Sequence, residues 1–160
     1  MTVDQITSHL ERFRERQERI ASEERVKRER EVALFLEACE SCERALRTVV
    51  EPILDNLSAT LVSYGHENII HRTQATEQIT ERTKLRTVDY AVALGVNRED
   101  GEMIVRIVAS PRTLRISSTI GVPHGNFSSV FHAGEGPLAE AAEVTNLGIA
   151  DFLSAAFPLK

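Results

Sequence analysis

Residues 32–53 read VALFLEACESCERALRTVVEPI. In this stretch Val32, Phe35, Cys39, Cys42, Leu46, Val49 and Ile53 recur in steps of three and four without a gap. That spacing puts one apolar stripe along a helix, and a stripe of 3.5-residue period can serve as a coiled-coil seam. The rhythm continues past Pro52 through Leu54, Leu57 and Leu61. A proline inside a helix lacks its N–H and meets the carbonyl four residues back, here that of Thr48. The unbroken rhythm predicts a kink near Pro52 in preference to a stop.

Upstream, no glycine occurs before Gly65 and no proline before Pro52, so nothing punctuates the helix. Thr2 followed by Gln5 has the form of a capping box and would start the helix at Val3. Gly65 suits a left-handed stop at the far end. Such a helix would run roughly 90 Å, against a gyration radius of about 12–13 Å for the remainder. Part of it is expected to project.

A second stripe, Ile6, Leu10, Phe13 and Ile20, lies nearer the start. The twelve residues from Ile20 to Val32 put the two stripes out of register, as a stutter would. Between them, residues 11–31 hold eight basic and seven acidic side chains, a net charge of only +1. Glu15–Arg19, Glu23–Lys27 and Glu24–Arg28 are spaced for favourable pairs along the helix. This segment is expected to be helical by propensity and to be the least protected part of the protein.

After Gly65 the period changes to two. Val88, Tyr90, Val92, Leu94 and Val96 alternate with small or polar residues, as on a strand with one buried face. Residues 97–101 turn the chain, 103–109 read as a second strand, Leu114, Ile116, Ser118 and Ile120 mark a third, and 127–132 a fourth. Residues 68–73 offer a further strand. Short connections predict an antiparallel meander. Pro137 is placed to open a final helix whose apolar side includes Leu138, Ala141, Ile149, Phe152 and Leu153. The fold class read from the sequence is therefore α+β: a long coiled-coil-like N-terminal helix, an antiparallel β-meander of about four strands and a C-terminal helix. The expected division is 1–64, an oligomerisation helix, and 65–160, a small head.

Composition narrows the function. With 42% hydrophobic and 27% charged residues and a net charge of −5, the chain can bury a core and is not of disordered type. No apolar run approaches the length of a membrane span. The opening residues Met1, Thr2, Val3 and Asp4 lack the basic and apolar segments of a secretory signal. Two cysteines make no disulfide framework, which points to the cytoplasm.

Candidate chemistry is sparse. Cys39 and Cys42 form Cys-x-x-Cys, but deep in a helical stripe, where free thiols pack as small hydrophobes. His66, His71, His124 and His132 could converge on a metal only if their segments meet, and their spacing follows no ligand pattern. Gly134 and Gly136 read as a turn before the last helix, with Glu135 ill suited to an anion site. Arg12, Arg16 and Arg19 share a helix face that could meet phosphates, though the interleaved carboxylates cancel much of the field. No nucleophile elbow, P-loop, zinc-protease or dinucleotide motif is present.

The reading favoured is a non-enzymatic cytoplasmic scaffold or adaptor, without cofactor or metal. It would form a parallel homodimer along Val32, Phe35, Cys39, Cys42, Leu46, Val49 and Ile53 and present its head to a protein partner. An antiparallel pair or four-helix bundle is the structural rival. Losing residues 1–31 should leave the head folded and still dimeric. The alternatives are a small-ligand sensor, with a pocket between the sheet and the C-terminal helix, and nucleic-acid binding through Arg12, Arg16 and Arg19.

Overall fold

The computed structural model describes residues 2–82, 85–124 and 127–159. Contacts divide the chain into two units, one up to Glu37 and one from Ala38 onward.

From Val3 onward the first unit is helical and belongs to α1 (Val3–Ala45). Its start is the expected capping box: the Thr2 N–H donates to Gln5 Oε1 at 2.9 Å, and the Gln5 N–H donates to Thr2 Oγ1 at 3.3 Å. Every residue from Thr2 to Glu37 is exposed. The pairs Glu15–Arg19, Glu23–Lys27 and Glu24–Arg28 do not close. Among the described residues this unit holds Arg14–Glu18 instead, at 3.9 Å. Long exposed side chains gain little from pairing in water, so the spacing alone does not fasten them.

The second unit begins with the last turns of α1. A π-helical turn (Leu46–Val50) follows, then α2 (Glu51–Ser63). Pro52 sits in the first turn of α2, and the N–H before it, that of Glu51, donates five residues back to the Leu46 carbonyl. The wider π turn is how the helix passes the proline, in place of a simple kink. It also moves the buried face. A π turn holds more residues per revolution, so Cys42, Leu46, Val50 and Leu54, in steps of four, are fully buried, while Val49 and Ile53 are half-buried. Gly65, at φ 83°, ends α2 as expected: the His66 N–H reaches the Leu61 carbonyl at 2.8 Å and the Gly65 N–H reaches that of Val62 at 2.9 Å.

The sheet has five antiparallel strands in the order of the chain: β1 (Asn68–Thr80), β2 (Leu85–Arg98), β3 (Gly101–Ser110), β4 (Arg115–His124) and β5 (Phe127–Pro137). The segment at 68–73 is therefore a strand, longer than expected and bulged between His71 and Gln74. Two further expectations are corrected. Leu114 is not in a strand but in the turn before β4, at φ 51°. Gly134 and Gly136 do not form a turn: they are paired within β5, opposite Ser118 and Ile116. The chain then passes through a short 3₁₀ turn (Leu138–Glu140) into α3 (Ala141–Ala156), so the last helix starts later than Pro137 suggests.

One face of the sheet is covered. The π turn and α2 lie over β1 and β2, and α3 over β3, β4 and β5. Leu46, Val50 and Leu54 from the helical layer, Val92, Leu94, Val96, Val105, Ile107, Ile116 and Ile120 from the sheet, and Val144 and Phe152 from α3 are buried in one core cluster. These alternate sheet positions face the core because strand side chains point to opposite faces in turn. The result is a two-layer α+β unit.

Candidate functional site

The residues expected to form one seam are placed in different surroundings. Val32 and Phe35 are exposed on the first unit. Cys39, Cys42 and Leu46 are buried beneath the chain's own sheet, where Cys42 and Leu46 keep no accessible surface. A side chain already enclosed by its own fold has no surface left to give to a second copy.

The first unit carries exposed apolar side chains of its own. Val3, Ile6, Leu10, Phe13, Ile20 and Leu34 are all exposed, with Leu10 at 59% and Leu34 at 59%. Leu34 follows Ile20 by fourteen residues and so keeps its heptad position. Arg12, Arg16 and Arg19 are exposed on the same helix and have no ion-pair partner among the described residues.

The two thiols sit where α1 crosses the sheet. Burial, then the neighbouring Cys39 and Asp89, push the Cys42 thiol from 9.0 to about 11. Burial and the contact with Cys39 push Tyr90 to about 12. A thiol held protonated at neutral pH is packing material and a poor nucleophile.

The histidines are dispersed. His71 and His132 share a row on the uncovered face of the sheet: His71 is opposite Ala93, Ala93 opposite Arg106, Arg106 opposite Thr119, and Thr119 opposite His132. Four strand spacings, about 19 Å, therefore separate them. Each faces a carboxylate, His71 with Glu102 at 3.9 Å and His132 with Glu135 at 3.5 Å. Glu135 also accepts from Arg115 at 3.1 Å. His66 packs on Phe157 instead, with ring centroids 4.5 Å apart. The His124 side chain lies outside the described residues. Among those described, no three His, Cys, Asp or Glu side chains gather as a metal site requires.

The space between sheet and α3 is filled. Gly148 of α3 lies directly on Ser118, Gly136 admits Val144 and Glu140, and Phe152 is wholly enclosed. Open clefts lie elsewhere. One, of about 910 Å³, opens beyond the end of α3 between Gly65, His66, Asn97, Arg98 and Phe157. There the Arg98 guanidinium donates to the Ala156 carbonyl and stands 5.5 Å above the Phe157 ring. Another, of about 260 Å³, lies on the uncovered face of the sheet between His71, Gln74, Ala91, Ala93 and Arg106.

One polar cluster has no signal in the sequence. Glu51, buried on α2, accepts from Thr73 Oγ1 at 2.9 Å and from the Arg72 guanidinium at 3.3 Å, while Arg72 also meets Asp55 at 2.9 Å. Asp55 and Glu51 together raise the Arg72 pKa above its already high value. The bulge in β1 lets consecutive residues, Arg72 and Thr73, both turn toward α2. Spacing alone would point them to opposite faces. The cluster ties β1 to α2 and is structural.

Among the described residues, no helix is long and apolar enough to cross a membrane. Comparison of the chain with family models, with curated proteins and with solved structures finds no match.

Proposed function

We propose that the chain is a non-enzymatic scaffold or adaptor of the cytoplasm that homodimerises through the first unit of α1 and presents its sheet to a protein partner. The observation that carries this reading is the set of exposed apolar side chains Val3, Ile6, Leu10, Phe13, Ile20 and Leu34, which share one heptad register on a helix in which no residue up to Glu37 is buried. Helices in water draw most of their stability from an apolar face packed against something. Burying a large apolar side chain contributes about 1.5–3 kcal/mol. A second copy offers the same stripe and the same alternating charges, and so satisfies both. Sedimentation at micromolar protein tests the reading: a dimer supports it, and a monomer at tens of micromolar contradicts it.

The head's contribution rests on the uncovered sheet face, where Ile69 and Val130 are exposed at either end of a row running through Gly95, Ile104 and Gly121. A protein partner seated there would protect these strands from hydrogen exchange. The sensor reading keeps one support, the cleft beside Arg98 and His66. A thermal shift that rises with the concentration of one metabolite would favour it.

A further inference from the structure

The two apolar stripes of α1 are out of register, twelve residues separating Ile20 from Val32. The downstream stripe, Cys42 and Leu46 above all, packs against the chain's own sheet. The upstream register, which includes Ile6, Leu10, Phe13, Ile20 and Leu34, is left for another molecule. We infer that the occupant of this face is a second copy of the chain running antiparallel, with Glu24 of each copy opposite Lys27 of the other. This rests on the homodimer reading above and fixes its orientation and register.

Charge along the helix sets the orientation. Carried through the middle of the unit, the upstream heptad puts Glu24, Lys27 and Glu31 at seam positions. In a parallel pair each seam residue meets its own copy, so Glu24 would face Glu24, Lys27 would face Lys27 and Glu31 would face Glu31. Three stacked layers of like charge oppose that arrangement. In an antiparallel pair the two kinds of seam position face each other. Alignment of Glu24 with Lys27 of the other copy makes both central layers attractive.

The flanking positions agree. In the same alignment Glu23 stands beside Arg30 of the other copy and Arg16 beside Glu37, and symmetry repeats each contact. Sliding the helices by one heptad in either direction brings Arg16 beside Arg30, or Glu23 beside Glu37.

Four full-length variants test this. E24C and K27C chains, mixed and oxidised, should form the mixed disulfide, and neither should cross-link efficiently alone. The native thiols, buried within each chain, should give no intermolecular background. K27E should weaken the dimer by about tenfold or more, and E24K/K27E should restore it, because the double exchange re-forms opposite charges across the antiparallel layer. Efficient K27C–K27C bridges in a dimer would overturn the orientation and leave the homodimer reading intact. So would a dimer that forms neither bridge, or one indifferent to K27E. A monomeric wild-type chain would overturn both.

Discussion

Gly148 of α3 rests on Ser118 of β4 so closely that a Cβ on the glycine would stand 2.6 Å from the Ser118 Cβ and 2.8 Å from its Oγ. Glycine is a poor helix former, and alanine there would gain about 1 kcal/mol of helix propensity. The clash outweighs it, since overpacking a filled core costs about 1–3 kcal/mol. Gly148→Ala is therefore expected to lower stability by about 1–2 kcal/mol in urea titration, and Ser118→Gly in the same chain to recover part of the loss. Ser118 also carries a buried hydroxyl without a hydrogen-bond partner among the described residues. Ser118→Ala alone should raise stability by about 1 kcal/mol.

The Glu51 cluster separates a buried contact from an exposed one. Glu51→Ala leaves the buried Thr73 hydroxyl without its acceptor, and is expected to cost about 1–3 kcal/mol. Arg72 is more than half exposed. Its replacement by alanine should cost about 1 kcal/mol or less. A double-mutant cycle on Glu51 and Thr73, read by denaturant unfolding, checks the coupling.

The Cys42 thiol imposes a pH dependence. Its pKa is raised from 9.0 to about 11 in the folded chain, mainly by burial. At a pH between these values the unfolded chain has lost a proton that the folded chain keeps, so the unfolded state gains. This contribution is fully present below pH 9.0 and is lost as pH rises toward about 11. Tyr90, raised to about 12, extends the loss above pH 10. Stability measured from pH 8 to 11 should fall, and Cys42→Ala should flatten the first part of the curve. Iodoacetamide should leave Cys42 unmodified at pH 8 until the chain unfolds.

Leu114 holds a left-handed backbone, φ 51°, in the turn between β3 and β4, with its side chain about half exposed. A branched side chain there costs roughly 1–2 kcal/mol that asparagine largely avoids. Leu114→Asn should raise the midpoint of thermal unfolding, and an unchanged or lower midpoint would mean that the leucine packs usefully in the turn.

The change of period at Gly65, the capping box at Thr2 and the alternation in β2 made the α+β layout and the meander legible, because each is a local pattern that backbone geometry enforces. The buried side of the helix beyond Leu46 was not legible. A π turn at residues 46–50 is a response to Pro52, and it shifts burial from Val49 and Ile53 to Val50 and Leu54. Gly134 and Gly136 looked like a turn because glycine permits one. At Gly136 the glycine lets Val144 of α3 approach β5, a tertiary demand without a local signature. The same holds for the thiols: the steps of three and four located an apolar face correctly, but periodicity cannot say whether that face meets a second copy or the chain's own sheet.

Burial of Cys42 and Leu46 within the head changes what truncation should do. Among the described residues every buried core side chain lies at Cys39 or later. Sedimentation of the full chain beside a chain lacking residues 1–31, both at tens of micromolar, tests the central claim. The account predicts a dimer for the full chain and a folded monomer for the shortened one, because the exposed stripe has been removed and the core has not. A monomeric full chain, or a shortened chain that remains dimeric, would contradict it.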